Sequence, residues 1–286
     1  MYAPEGQSSE PSSSDRVLRS SKLKEPPLPT AQQFFYALKK EIVNTVGPSY
    51  IERVGITPEV GSLVACSLSD DKDVERESVR ISYNPLNQTF SVKMPTHTHN
   101  AVNHWGSHEL FCAGLTGFFT LVDVQEISMS STCRFNSFPT PWQNVYKSPD
   151  LVFVYGPTQL PTVVFEVGYS QTWPSLLKDK DLWFQCAANV NVIVLLKWNL
   201  RKRKRVAGYI EVFRRFGPSI PRIQIFPVPP APAAAPQTLT FYRHEFYPVG
   251  TTLPTGRNPN DQWHWSIATL RTKATETMAA DGLVPA

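Results

Sequence analysis

Two acidic residues, Asp150 and Glu166, are the side chains best placed to do chemistry. Asp150 directly precedes the stretch Leu-Val-Phe-Val-Tyr, and Glu166 lies inside the stretch Val-Val-Phe-Glu-Val. Because an unpaired carboxylate is costly to bury, an acid within an apolar strand is expected to have a cation beside it. A hard divalent cation with oxygen ligands would supply that charge, so Mg²⁺ or Mn²⁺ is the predicted cofactor.

The two acids are expected to be neighbours because each lies on one strand of a predicted hairpin. Residues 151–155 and 162–167 are rich in β-branched and aromatic side chains, and a loop with Gly and Pro separates them. In an antiparallel hairpin centred on Thr158, Asp150 and Glu166 face each other on one side of the sheet. Two carboxylates that close repel each other unless a cation neutralises them. The alternative is that both acids lie at strand ends in water.

A lysine on the following predicted helix is the third candidate. Residues 173–188 have apolar side chains at helical spacing, and Lys180 falls in the middle of that apolar stripe. A lysine on a buried face needs a partner, and the strand that carries Glu166 leads directly into this helix. Such a lysine can stabilise charge that develops on a phosphate or orient an attacking water. The alternative is that its ammonium group reaches solvent along the aliphatic stem.

The remaining elements are predicted from periodicity and turn residues. Residues 1–30 are rich in Ser and Pro and are predicted to be disordered, and residues 251–286 are predicted to be a loosely structured tail. Residues 31–250 are expected to form a single domain. Its predicted helices cover 31–46, 98–119 and 173–188, strands and turns cover 61–94, and further strands cover 121–135, 151–155, 162–167, 190–198, 208–216, 223–228 and 238–247.

The order of these features resembles the PD-(D/E)xK, or restriction-endonuclease-like, nuclease superfamily, and within it the Uma-type predicted endonucleases. The resemblance covers residues 85–198. The matching stretches are Gln88-Thr-Phe-Ser-Val-Lys-Met-Pro-Thr-His-Thr-His99, Lys147-Ser-Pro-Asp150-Leu-Val-Phe-Val154 and Thr162-Val-Val-Phe-Glu166-Val-Gly-Tyr-Ser170. In that branch the lysine stands on the helix after the glutamate, whereas the position two residues after Glu166 is here Gly168.

The resemblance implies a fold and a reaction. The fold is α/β (α+β), with a restriction-endonuclease-like αβββαβ core at about 85–200 around a mixed central sheet, plus an N-terminal helix and C-terminal strands. The reaction is hydrolysis of nucleic-acid phosphodiester bonds. Asp150, Glu166 and the backbone carbonyl of Val167 would hold the metal, with Lys180 beside the attacking water. The accessory candidates are His99, Glu109 and Gln171.

Two departures from the family pattern keep a second interpretation open. Gln171 stands where the family has a small residue, and Glu109 is the acidic candidate in the first core helix. Family membership does not guarantee activity. The alternative is therefore a catalytically inactive nuclease fold that binds nucleic acid or acts as a scaffold.

A run of five basic residues is the candidate contact with nucleic acid. It consists of Arg201, Lys202, Arg203, Lys204 and Arg205. The formal net charge of +4 and the pI near 8.8 permit a nucleic-acid partner without requiring one. DNA is preferred over RNA on the family resemblance. The run also fits a nuclear-localisation signal or a solvated turn between two strands.

A cluster of histidines supports a hypothesis from another class, a zinc-binding interaction domain. His104 and His108 are four residues apart on a predicted helix, which is a spacing that can chelate Zn²⁺. The alternative is a helix that happens to be rich in histidine. Nearby side chains that could join them are His97, His99 and Cys112.

Other features narrow the class of protein. The chain has no Walker A loop, no dinucleotide-binding glycine pattern and no nucleophile elbow. Its four cysteines form no CxxC pair, and no apolar run has the length of a membrane span. These features predict an intracellular protein, nuclear or cytoplasmic, without a membrane partner. The oligomeric state stays open, a homodimer included.

Overall fold

The computed structural model describes residues 30–156, 160–230 and 237–286, which form seven α-helices and thirteen β-strands. The helices are α1 (Ala31–Asn44), α2 (Pro58–Ser69), α3 (Lys72–Arg76), α4 (Ala101–Leu115), α5 (Leu121–Glu126), α6 (Trp173–Cys186) and α7 (Ile267–Ala280). The strands are β1 (Tyr50–Arg53), β2 (Arg80–Asn84), β3 (Thr89–Lys93), β4 (Ile127–Ser130), β5 (Tyr146–Lys147), β6 (Leu151–Tyr155), β7 (Val163–Gly168), β8 (Val192–Arg201), β9 (Arg205–Arg214), β10 (Ile220–Phe226), β11 (Thr238–Tyr242), β12 (Gln262–Ser266) and β13 (Val284–Pro285). The N-terminal tail predicted to be disordered covers residues 1–30, and residues 1–29 of it lie outside the described part of the chain.

The largest sheet is mixed and has the strand order β10-β9-β8-β7-β6-β4, with β13 paired to β9. Strands β4, β6 and β7 are antiparallel neighbours, whereas β8 lies parallel to β7. A parallel pair needs a crossover connection, and α6 provides it between β7 and β8. The predicted mixed α/β (α+β) architecture is confirmed at this level.

The hairpin that carries the two acids has the predicted register. Leu151 of β6 lies opposite Phe165 of β7, which is the pairing expected for a hairpin centred on Thr158. Thr158 itself lies outside the described residues. One step further along, the N–H of Asp150 donates to the carbonyl of Phe165 at 3.2 Å. This register brings Asp150 to the position opposite Glu166.

A smaller sheet, of order β1-β3-β2-β5, supplies the side chains that face these acids. Phe90 and Val92 of β3 pack into an apolar core with α1 and α2. Because side chains alternate along a strand, Lys93 points to the opposite side. Lys147 comes from β5, which pairs with β2. The two sheets therefore contribute opposite charges to one place.

Two upstream predictions are wrong in part. The region 61–94 contains the predicted strands as β2 and β3, but its first part lies in α2, because Val64, Ala65 and Leu68 fall at helical spacing on a buried face. The weak strand predicted over 121–135 is replaced by α5 followed by the short β4. The helix begins there because Asp123 accepts hydrogen bonds from the N–H and hydroxyl of Thr120.

The prediction of a loosely structured tail over 251–286 is also wrong from residue 262 onward. Trp263 and Trp265 alternate along β12 with exposed neighbours and are buried in the main core. Leu270 and Ala274 then lie on the buried face of α7. Exposed polar side chains, among them Thr272, Thr275 and Glu276, occupy the outer face of α7 and mask the apolar period in the sequence.

We expect Trp265→Ala to destabilise the whole fold. Trp265 is fully buried, with its ring stacked on Phe165 of the hairpin at 5.4 Å and edge-on to Trp105 at 4.8 Å. Truncation should lower the free energy of unfolding by about 3–5 kcal/mol, measured by chemical denaturation. Leu115→Ala is the control, because Leu115 is 73% exposed and its loss should have little effect. Equal effects from both variants would show that the C-terminal segment is not part of the core.

Candidate functional site

Lys93 lies between the two acids that the sequence singles out. Its Nζ is 3.0 Å from Asp150 Oδ2 and 2.7 Å from Glu166 Oε2. The backbone N–H of Val167 also donates to Asp150 Oδ2, at 2.7 Å. Only 5% of Lys93, 4% of Asp150 and none of Glu166 is exposed. The two carboxylates have thus converged, with an ammonium group in the place where a cation was expected.

Lys147 is the second buried cation of the site. Its Nζ lies 3.1 Å from Glu166 Oε1 and 2.5 Å from Asp179 Oδ1. The ring of Trp183, on α6, lies beneath this ammonium group at 5.8 Å, and Trp183 Nε1 donates to Glu166 Oε1 at 2.9 Å. Glu166 therefore has one lysine at each carboxylate oxygen.

Gln171 and Asp179 extend the site along the start of α6. The Gln171 amide donates to Asp179 Oδ2 at 2.6 Å and to Ser175 Oγ at 3.1 Å. The Tyr50 hydroxyl lies 2.9 Å from the same Ser175 oxygen. Gln171, predicted as an accessory residue, is thus part of the cluster and holds Asp179 toward Lys147.

His99, another predicted accessory residue, binds the carbonyl that was expected to face the metal. Its Nε2 lies 3.2 Å from the carbonyl oxygen of Val167. A carbonyl can only accept, so Nε2 carries the hydrogen and Nδ1 is an acceptor. That Nδ1 is buried without a hydrogen-bond partner among the described residues. Burial lowers the pKa of His99 to about 4, so the ring is neutral at pH 7.

The two lysines determine the protonation state of Glu166. Burial alone would raise its pKa, but the ammonium groups of Lys147 and Lys93 outweigh burial and hold the pKa at about 2. Burial likewise opposes the charged forms of both lysines, and their carboxylate neighbours raise the pKa of each above its usual value. The charged forms therefore stabilise one another inside the protein.

The charges of the site balance within the chain. The Asp150, Glu166 and Asp179 carboxylates face the Lys93 and Lys147 ammonium groups. A third cation, Arg80, completes the balance, with its Nε 4.0 Å from Asp150 Oδ1. The cluster thus has three negative and three positive groups, and it requires no external cation to be neutral.

Lys180 does not join the acids, so the position predicted for it is corrected. Its ammonium group pairs with Asp181 and lies 5.1 Å over the ring of Phe213, on β9. The helix α6 instead turns Trp183 toward Glu166. Lys180 does not reach the site because α6 presents Trp183 and Asp179 to it, whereas Lys180 lies on the face of the helix toward Phe213.

Glu109 also lies away from the cluster and serves a structural role. Its Oε1 accepts hydrogen bonds from Trp105 Nε1 at 3.1 Å and from the N–H of Ser266 at 3.0 Å. Burial raises the pKa of Glu109 above its usual value. The residue ties α4 to the junction of β12 and α7.

The oxygens predicted to bind Mg²⁺ or Mn²⁺ already have partners. Each of them except Asp150 Oδ1 accepts a hydrogen bond, and that oxygen faces the Arg80 guanidinium. The donors are Lys93, Lys147, Trp183, His99 and the N–H of Val167. In the described part of the chain, no three His, Cys, Asp or Glu side chains are grouped to hold a metal ion. In this arrangement the residues do not fit a resident divalent cation, which needs about six oxygen ligands.

The histidines proposed to bind zinc are spread over an exposed helix face. His104 and His108 both lie in solvent on α4. His108 Nε2 is 3.6 Å from Cys112 Sγ, a weak polar contact. A third ligand beside them is absent from the residues that the structure describes. The zinc hypothesis therefore gains no support from the geometry.

The basic run forms the solvent-exposed tip between β8 and β9. A single 3₁₀ turn, Lys202–Lys204, joins the strands, and Arg203 and Lys204 have left-handed backbone conformations. All five side chains of the run are exposed. Over residues 30–156, 160–230 and 237–286, no acid lies close enough to pair with them. Their positive charge is therefore available to a partner.

A group of stacked side chains lies on the same part of the sheet, where Arg222 pairs with Glu211 at 2.7 Å. The Arg222 guanidinium is 3.7 Å from the centre of the Tyr209 ring and 5.2 Å from that of Trp173. Tyr209 lies opposite Lys197 in the β8–β9 ladder, between the acid cluster and the basic tip. Stacked guanidinium and aromatic groups are surfaces on which nucleic-acid bases can stack.

Sequence reasoning missed four members of the cluster: Arg80, Lys93, Lys147 and Asp179. Lys93 and Lys147 lie within the stretches that carry the family resemblance, at the end of an apolar strand and three residues before Asp150. A lysine in an apolar strand is as costly to bury as an acid and equally needs a partner of opposite charge. The same criterion that singles out Glu166 therefore also singles out Lys93. Asp179 follows Lys178 on α6 and gives no comparable signal.

No protein-family model matches the chain, and no curated protein matches it. Its described helices include none that is both long and apolar enough to cross a membrane. What the site does must therefore be inferred from its own geometry.

We expect Lys147→Met to destabilise the protein strongly and Lys180→Met to have a small effect. Removing one partner of a buried ion pair leaves an uncompensated charge and costs about 3–5 kcal/mol. Lys180 should lose about 1 kcal/mol or less, since it has one exposed acidic neighbour and one ring contact. Urea denaturation of both variants measures this difference. A larger loss for Lys180→Met would mean that Lys180, and not Lys147, compensates the acids.

The depressed pKa of Glu166 predicts a dependence of stability on pH. Since the pKa is about 2 in the folded state and the ordinary value is 4.5, its stabilising contribution is present above pH 4.5 and is lost as pH falls toward 2. The difference in unfolding free energy between the wild type and Glu166→Gln should shrink by up to about 1.4 kcal/mol per pH unit across that window. Parallel stability curves for the two proteins would contradict the assigned charge state.

Proposed function

We propose that this chain is a non-catalytic nucleic-acid-binding protein with a restriction-endonuclease-like core, in which the Lys93 ammonium replaces the catalytic cation. The observation that carries the proposal is the position of Lys93 Nζ, at 3.0 Å from Asp150 Oδ2 and 2.7 Å from Glu166 Oε2. A metal ion bridging two carboxylates would need the same space.

The order of the core elements supports the nuclease-like part of this proposal. Helix α4 is followed in the main sheet by the antiparallel strands β4, β6 and β7, then by α6 and by β8 parallel to β7. With α5 and β5 set aside, this order agrees with the αβββαβ core that the family resemblance implies, which supports the proposal. The two acids also lie where the resemblance expects them, at the start of β6 and within β7.

Displacement of Lys93 by a metal ion is unfavourable for two reasons. The displaced ammonium group would remain buried without its carboxylate partners, which is a costly state for a charge. Mg²⁺ would also have to shed much of its hydration shell, which it does reluctantly. With Lys93 of β3 in place, no ammonium group is buried without a partner and no metal ion has to be dehydrated. The site therefore keeps its shape without a metal.

The location of the basic tip supports nucleic acid as the partner. Glu166 and Gly168 lie toward the end of β7, and Gly168 is opposite Lys197 of the parallel strand β8. The run from Arg201 to Arg205 begins four residues further on, about 13 Å along the strand. Five exposed basic side chains at that distance can neutralise several phosphates. The tip therefore extends from the same end of the sheet as the acid cluster.

Hydrolysis is the second candidate function. The observation that favours it is the convergence of Asp150, Glu166 and a lysine ammonium within hydrogen-bond distance, since two acids and a lysine are what the resemblance implies for an active site. For this candidate the active lysine would be Lys93 and not Lys180. No catalytic step is assigned, because the cluster as it stands does not fit the metal.

We expect the full chain to bind DNA through its basic tip. The triple variant Lys202→Gln, Arg203→Asn, Lys204→Asn should weaken binding and make it less dependent on salt, because fewer counterions are released. Asn is chosen because it tolerates the left-handed backbone at both positions. A control that removes the same charge elsewhere is Lys40→Gln, Lys72→Gln, Arg76→Gln. Fluorescence anisotropy with labelled single- and double-stranded DNA at several salt concentrations measures both.

The same preparations separate the two candidate functions. With Mg²⁺ or Mn²⁺, we expect no cleavage of plasmid or single-stranded DNA by the wild type. Cleavage that disappears in Asp150→Ala and Glu166→Ala would instead establish the nuclease. Failure of the wild type to bind either DNA would contradict the binding function, and equal weakening by both triple variants would contradict the role of the tip.

A further inference from the structure

A small cavity opens beside the acid cluster, with Arg80 and Ser148 in its lining. Its volume is about 200 Å³, below the roughly 300–1,000 Å³ typical of sites for drug-sized ligands. It therefore suits a single chemical group rather than a whole nucleotide. The polar residues that line it include Ser69, Ser78, Arg80, Thr132, Arg134 and Ser148.

Arg80 forms the inner wall of this cavity and has an unused donor. Its Nη2 donates to the carbonyl of Ser131 at 2.8 Å, and its Nη1 lies 3.5 Å from the carbonyl of Ser78. Its Nε is buried and has no hydrogen-bond partner among the described residues. Asp150 Oδ1, at 4.0 Å, is too far to accept from it. A buried cationic donor without an acceptor is costly, and an oxyanion would satisfy it.

We propose that this cavity binds a phosphoryl group and that Arg80 recognises it. Arg134 supplies a second positive charge at the rim, where its contact with Asp70 at 3.7 Å is solvent-exposed and weak. The hydroxyl groups of Thr132 and Ser148 line the same space and can donate to further oxygens. One acid, Glu75, is also in the lining but lies exposed in solvent.

The neutral state of the acid cluster makes this site compatible with an anion. Asp150 would repel a phosphoryl group if its charge were uncompensated. Its Oδ2 is instead bound to Lys93 and to the N–H of Val167. The other oxygen, Oδ1, faces the Arg80 guanidinium at 4.0 Å, so a positive charge lies beside it as well. The lysine that substitutes for a metal thus allows an anion to lie next to the acid.

The phosphoryl group has two possible sources, the end of a nucleic-acid strand or a free phosphate compound. The first source rests on the proposed function, whereas the second does not. The experiment uses the full chain with three probes: a 5′-phosphorylated oligonucleotide, its 5′-hydroxyl counterpart and inorganic phosphate as competitor. Fluorescence anisotropy measures the oligonucleotides, and calorimetry measures inorganic phosphate directly.

The wild type should prefer the phosphorylated strand about tenfold, and inorganic phosphate should reduce that preference. Arg80→Lys keeps the charge but removes the Nε donor, and it should abolish the preference. The control is Arg76→Gln, an exposed arginine outside the cavity lining, which should leave the preference unchanged. Arg134→Gln is the second test variant if thermal melting shows Arg80→Lys to be unfolded, and it should also lower the preference.

The outcomes separate this inference from the proposed function. Equal binding of both oligonucleotides with no binding of inorganic phosphate overturns the phosphoryl site and leaves nucleic-acid binding intact. Binding of inorganic phosphate that depends on Arg80, without any oligonucleotide binding, supports the site and overturns the proposed function. Binding of none of the three probes overturns both.

Discussion

The complete burial of Glu166 is the constraint on which the rest of this structure depends. A buried carboxylate is tolerated only when it is paired and fully hydrogen-bonded. Glu166 meets that condition through Lys93 on one oxygen and Lys147 with Trp183 on the other. Its charge thereby determines where two strands of another sheet and one helix must lie.

The cluster of buried charges also has a structural role, because it links the two sheets. Lys93 and Lys147 come from the smaller sheet, and the acids they bind come from the hairpin of the larger one. A buried ion pair rarely stabilises the folded state more than apolar side chains of the same size would. Removal of one partner, however, leaves a buried charge uncompensated and destabilises the fold strongly. The geometry of the cluster is thus held by the need to neutralise buried charge, without any requirement for a metal.

The hairpin and its register were predictable because they depend on local pattern. Two apolar strands and a short loop are sufficient to place Asp150 opposite Glu166. The cations were not predictable in this way, since Lys93 is contributed by a strand far away in the sequence and its contact depends on how two sheets pack. Lys180 was favoured because it lies close in sequence and at helical spacing, yet α6 presents Trp183 to the acid instead. Helix α7 was missed because its outer face is rich in polar residues.

The central claim, that Lys93 occupies the cation position, can be tested by crystallography in the presence of Mn²⁺. Crystals grown with and without the ion would be compared in anomalous difference maps. We expect Lys93 Nζ to remain within hydrogen-bond distance of Asp150 and Glu166, with no anomalous peak between the carboxylates. An anomalous peak within coordination distance of both acids, with Lys93 displaced, would contradict the claim and would favour a metal-dependent nuclease.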